Sequence, residues 1–186
     1  MKKRIKIILA AAALAIAAVA TIGFNYYNTY KRDNVVKETV LLVYKHYTYD
    51  SLMNAIESSG AIENLKTFRK AAAKRELEKH FEPGRYLLKP GQSNQQIIRI
   101  IANSWQEPMR FTLRSHIRTL GKLSGFMGNN FEADSAEFAK VLLNDSLIKA
   151  MGFTRETFIG MFIPNTYELY WTESPENIIK RLHREY

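Results

Sequence analysis

The chain has 186 residues, a formal net charge of +9 and no cysteine. With 46% apolar and 12% aromatic residues it can build a core, which excludes wholesale disorder. The absence of cysteine excludes a disulfide scaffold, a cysteine-ligated zinc site, an iron–sulfur centre and a thiol nucleophile.

Residues 1–24 carry Lys2, Lys3, Arg4 and Lys6 and no acid, so four of the nine excess charges sit at the extreme N-terminus. That weakens a nucleic-acid-binding reading of the basic pI. Residues 7–24 are 18 positions without a charge. As a helix they span about 27 Å, close to the hydrocarbon thickness of a bilayer. The preceding bases predict a cytoplasmic N-terminus, with Tyr26, Tyr27 and Tyr30 at the far interface and the remainder outside the cytoplasm. A cleaved signal peptide is the rival, with Ala18-Val19-Ala20 as its site. The run exceeds the usual signal core, which favours an uncleaved single-pass anchor.

Residues 31–36 read as a short polar spacer, and residues 39–44 as a strand. Thr48, Asp50 and Ser51 offer N-cap chemistry for a helix through about residue 58, ended by Gly60. Asn64 opens a second helix expected to run to about His80, with Leu65, Phe68, Ala72, Leu77 and Phe81 as its apolar stripe. Its charged side could hold an acidic polymer. Mixed signs make a solvated face the better reading. Pro83-Gly84 turns into a strand over 85–88, and Ser93 or Asn94 caps a helix containing Ile97, Ile98 and Ile101. A third strand covers 109–113. Up to Leu113 this reads as one α+β module.

Beyond it the pattern turns helical. One helix spans about 118–127, with Leu120, Leu123 and Phe126. Asp134 or Ser135 starts another, with Phe138, Val141 and Leu142, and a short one follows Asn144. Ser174 and Pro175 open a last helix with Ile178, Ile179 and Leu182 on one face. No stop signal follows it, so its stripe is expected to point at nothing within the chain, as if half a core were absent.

Phosphate-binding glycine loops, HExxH and GxSxG are all missing. The four His are widely scattered, so no metal and no cofactor is expected. Arg114-Ser115-His116 reads as a local turn, because a nucleophile–base pair needs a third group to orient it. Residues 158–171 are dense in aromatics, with Asn165, Thr166, Tyr167 and Glu168 among them. Aromatic faces stack on sugar rings, and amides and carboxylates bond hydroxyls, so these four are the candidate substrate-binding residues. An ordinary core segment with a Pro-Asn turn is the plainer reading, and the weightier one. Glu168 is a carboxyl in an apolar run, the setting that would favour a protonated acid.

Four ordered features resemble the endolytic murein transglycosylases, the MltG/YceG-like family. They are the N-terminal apolar segment, then Phe81-Glu82-Pro83-Gly84-Arg85-Tyr86, then Pro90-Gly91-Gln92-Ser93 with its Ile-rich helix and Phe111-Thr112-Leu113. The last is Gly160-Met161-Phe162-Ile163-Pro164-Asn165-Thr166-Tyr167, similar to the family's "EGxxxPDTY". Ile159 and Asn165 replace two acids of that pattern, and Arg114-Ser115-His116-Ile117 departs from another family stretch.

The resemblance implies an anchor over 1–30, a LysM-like βααβ module over 31–113, and over 114–186 the mostly helical start of a catalytic domain. It implies a lytic transglycosylase of the inner membrane that cleaves MurNAc–GlcNAc linkages in nascent peptidoglycan glycan strands and leaves 1,6-anhydro ends. One Glu protonates the leaving oxygen and then helps the MurNAc 6-hydroxyl attack. The family places that Glu in a motif expected beyond Tyr186, so no catalytic residue is assigned and Glu168 does not fill the role. Implied partners are glycan strands, the membrane and peptidoglycan synthases. Nucleic acid is not among them. The alternative is a non-catalytic, membrane-tethered peptidoglycan binder.

Overall fold

The computed structural model describes residues 2–186, with side chains from Leu9 onward. The side chains of the basic flank, Lys2, Lys3, Arg4 and Lys6, lie outside the described residues. The chain forms a mixed α/β structure of two compact units, residues 1–82 with 86–105, and residues 83–85 with 106–186.

The first unit starts with α1 (Lys2–Tyr26), continued by a π-helical turn, Tyr27–Lys31. The stretch Leu9–Lys31 is long and apolar enough to cross a membrane. Leu9, Leu14, Ile16, Val19, Ile22 and Phe24 are all exposed on it, so no core claims this helix. The polar spacer expected over 31–36 is instead built into the unit. Asn34 and Val35 are buried, and the Asn34 and Val35 amides both donate to the Gln92 carbonyl. Local polarity hid this, because Asn34 is held by side-chain bonds to distant backbone.

Strand β1 (Thr39–Val43) and β2 (Gly84–Leu88) form a two-stranded sheet. Their alternation buries Leu41, Val43, Tyr86 and Leu88. Helices α2 (Tyr49–Ser59), α3 (Leu65–Lys74), α4 (Leu77–His80) and α5 (Asn94–Ala102) supply the rest of this core, including Leu52, Ile56, Phe68, Leu77, Ile97 and Ile101. Thr48 caps α2 by accepting from the Ser51 amide, and Gly60 ends it in the left-handed region at φ 59°. Asn64 caps α3 by accepting from the Thr67 amide. In α5 the Ser93 amide donates to Gln96 Oε1, the reciprocal half of a capping box.

The single helix expected from Asn64 to His80 is two. Glu76 breaks it at φ 51°. At about 100° per residue, a continuous helix would put Leu77 opposite Phe68. The break turns Leu77 inward, and both are fully buried.

The second unit pairs β3 (Met109–Thr112) antiparallel with β4 (Thr166–Leu169), with Arg110 opposite Glu168 and Phe111 opposite Tyr167. The strand expected to complete the first module therefore belongs to the second. Phe111 explains why, since its ring lies 5.4 Å from Phe126 and 4.9 Å from Phe131. Helices α6 (Leu120–Gly128), α7 (Ser135–Leu142), α8 (Asp145–Ala150) and α9 (Pro175–Glu185) pack around this hairpin. Thr119, Asp134, Asn144 and Ser174 cap them in turn.

The apolar stripe of α9 was expected to lack a counterpart. It has one: Ile178, Ile179 and Leu182 are buried in the cluster with Phe138, Leu142 and Phe158. A distant partner face does not show in the stripe's own sequence.

Candidate groove on the outer face of β4 and α9

Residues 158–171 divide by period. A 3-10 turn at Phe158–Met161 buries its first and last residues. The chain then extends into β4, where exposed Thr166 and Glu168 alternate with buried Tyr167 and Leu169. Trp171 is also buried. Most aromatic and apolar side chains of the segment thus serve the core, as the plainer reading holds. The exposed positions are Gly160, Ile163, Pro164, Asn165, Thr166, Glu168 and Tyr170.

Tyr167 has its ring inside, with 7% exposure, so it offers no stacking face. Its hydroxyl donates to the Ile163 carbonyl at 2.8 Å, and burial pushes the phenol above its ordinary pKa. Asn165 shapes the turn, its Oδ1 accepting from the Thr166 amide while its carbonyl accepts from Leu113. Thr166 shares a 2.9 Å hydroxyl contact with Thr112 across the hairpin. Glu168 faces outward, opposite Arg110, so the apolar enclosure expected around it is absent. Among the described residues it makes no ion pair and no side-chain hydrogen bond.

A groove of about 310 Å³ opens beside Glu168 and Tyr170 and is closed by Glu173, Asn177, Lys180, Arg181 and Arg184. Its floor includes Leu169. Positions 177, 180, 181 and 184 share one helix face, away from the buried Ile178, Ile179 and Leu182. Glu173 Oε1 accepts from Asn177 Nδ2 at 2.8 Å, which ties the loop to α9. Lys180 pairs with Glu176 and Arg181 with Glu185, both along the helix. Arg184 makes no ion pair among the described residues. The groove therefore offers one half-exposed aromatic face, one free carboxylate, an amide and several cationic donors. That set suits a hydroxyl- and amide-bearing chain with acidic substituents.

A second cavity of about 320 Å³ is lined by Arg114, Ser115, Ile117 and Arg118 on one side and by Ile159, Gly160, Phe162, Ile163 and Pro164 on the other. Two of the motif segments singled out in the sequence thus border one space. Arg114 and Ser115 lie outside any helix or strand, in line with a local turn. Among the described residues no group of three or more His, Asp or Glu gathers as a metal site.

A profile of the YceG-like family matches residues 41–186. The chain belongs to the YceG-like family. The match starts in β1 and runs to Tyr186, so it covers the second unit and the first from β1 onward, and α1 lies outside. No curated protein matches the sequence. Among solved structures, the chain is similar to a YceG-like protein of Listeria monocytogenes at 17% identity and a TM-score of 0.41. That alignment covers 80% of this chain and 54% of the Listeria chain, so the chain spans about half the length of that YceG-like protein.

The sequence nominated Asn165, Thr166, Tyr167 and Glu168, of which Glu168 alone lines the groove. Sequence reasoning missed Tyr170, Asn177, Lys180, Arg181 and Arg184. The polar i, i+3, i+4, i+7 spacing on α9 was the signal available for the last four. Arg110 carried none, since its place opposite Glu168 depends on a pairing 58 residues away in sequence.

Proposed function

We propose that this YceG-like chain acts on peptidoglycan as the membrane-anchored, glycan-holding portion of an endolytic lytic transglycosylase. The reaction cleaves MurNAc–GlcNAc linkages and leaves 1,6-anhydro-MurNAc ends. The carrying observation is family membership across residues 41–186, preceded by an exposed apolar helix. In this reading α1 crosses the inner membrane with its N-terminus in the cytoplasm, and the rest of the chain faces the periplasm. The first unit is the LysM-like module, and the second holds the strand in the groove between β4 and α9. Tyr170 stacks on a pyranose face. Asn177 and Glu168 meet hydroxyl and acetamido groups, and Arg181 and Arg184 meet the lactyl and peptide carboxylates.

The acid–base step is not assigned to this chain's residues. A glycosidic general acid stays protonated in an enclosed, water-poor setting. Among the described residues no Asp or Glu is buried. The same observation favours a second reading, a tethered peptidoglycan binder without activity. Counting 1,6-anhydro-MurNAc ends by mass spectrometry separates the two. Murein from cells lacking the gene should hold fewer such ends and longer strands than the parent. Unchanged ends and lengths would leave the binder and overturn the transglycosylase.

A further inference from the structure

We propose that the cavity at the foot of α1 binds the headgroup of an amine-bearing phospholipid, a phosphoethanolamine on a diacyl lipid. The proposal rests on α1 being a membrane-spanning helix. The cavity measures about 270 Å³ and is lined by Asn28, Arg32, Asp33, Asn34, Glu63, Asn64 and Thr67. This size falls just below the usual range of ligand sites, and a lipid headgroup fits it.

Charge carries the assignment. Arg32, Asp33 and Glu63 line one space, yet none of them makes an ion pair among the described residues. A guanidinium and two carboxylates that leave each other unpaired across a cavity suit a ligand of both signs. The phosphate of such a ligand meets Arg32, and its ammonium meets Asp33 and Glu63. A trimethylated amine has no N–H to donate to those carboxylates, and a glycerol headgroup has no cation.

The back wall is fixed in advance. Asn34 Nδ2 donates to the Asn64 carbonyl and to Asn94 Oδ1, and Asn34 Oδ1 accepts from the Asn64 amide. Asn94 Nδ2 donates to the Thr29 carbonyl and to Thr67 Oγ1. Those amides are engaged within the protein, and the rim charges are left for a ligand.

Position selects the lipid over a free phosphate. Ile22, Phe24, Tyr26 and Tyr27 are exposed immediately before Asn28. At about 1.5 Å per residue, Asn28 lies about 6 Å below Phe24 along the axis. A bilayer that covers the apolar helix brings its headgroup layer to Asn28 and Arg32.

The test uses the full chain in nanodiscs of equal phosphatidylethanolamine, phosphatidylglycerol and phosphatidylcholine, released into detergent for native mass spectrometry. Phosphatidylethanolamine should be retained several-fold over the other two. Asp33→Asn with Glu63→Gln should abolish that preference, and Arg32→Gln should lower retention of all three. Both acids are exposed, circular dichroism verifies the fold, and Glu63→Gln alone should already reduce the preference.

A second arm adds free phosphoethanolamine to the detergent-held protein and follows the side-chain amides of Asn28 and Asn34 by NMR. Lipid preference with or without a response to the free compound supports the proposal. A response to the free compound alone, an equal retention of all three lipids, or a preference that survives the double variant overturns it. Carbonate extraction keeps the anchor separate: a chain released from membranes refutes the spanning helix, whatever the cavity binds.

Discussion

Tyr86 is fully buried on β2, and its hydroxyl donates to the Glu82 carbonyl at 2.9 Å. Burial pushes its pKa up to about 12. The unfolded chain releases that proton near pH 10 and the folded chain only near pH 12, so folding binds the proton more tightly. Stability from this group is therefore complete below about pH 10 and lost as pH rises toward 12. Tyr86→Phe should flatten the alkaline fall in melting temperature while costing about 1 kcal/mol at neutral pH. Thermal denaturation across pH 7–12 checks both. In the groove, Glu168→Gln should leave melting unchanged, because the side chain is exposed and unpaired. Glu168 was legible by residue type, whereas its open setting was not. The alternation that turns Tyr167 inward and Glu168 outward exists only once β4 is paired with β3.

At the scale of elements, most helix starts were legible because caps are local. Thr48, Asn64, Ser93, Asp134, Asn144 and Ser174 all stand where side-chain chemistry placed them. What failed was long-range. The assignment of β3 to the second unit and the partner of the α9 stripe depend on residues far off in sequence, and the Glu76 break answers to the burial of Leu77 in the assembled core. The α9 packing is open to test: Ile179→Ala removes a fully buried side chain and should cost about 2–5 kcal/mol by chemical denaturation. A smaller local test lies at Gly128, where an added Cβ would run into the backbone of Asp134 and Ser135. Gly128→Ala should destabilise the second unit by about 1–3 kcal/mol, since the facing atoms are main chain and cannot rotate away.

For the whole molecule, the informative junction is between α1 and the rest of the first unit. No free linker separates them. Thr29 is buried, its carbonyl accepts from Asn94, and Arg75 lies over the Tyr30 ring at 5.5 Å. In the proposed reading, with α1 as the anchor, this connection sets the height of the rest of the first unit above the membrane. Asn94→Ala would strand the Thr29 carbonyl and part of the Asn34 amide, at about 1–3 kcal/mol per buried group left unpaired. Hydrogen exchange should then rise at residues 27–36 before the rest of the unit. In the proposed reading the groove holds the glycan strand, and co-sedimentation of the full chain with purified murein sacculi in detergent tests this most directly. The expected result is that the chain pellets with sacculi and that Tyr170→Ala with Arg184→Ala moves most of it to the supernatant without altering its fold. Equal pelleting of that variant, or no pelleting of the unaltered chain at low salt, would contradict it.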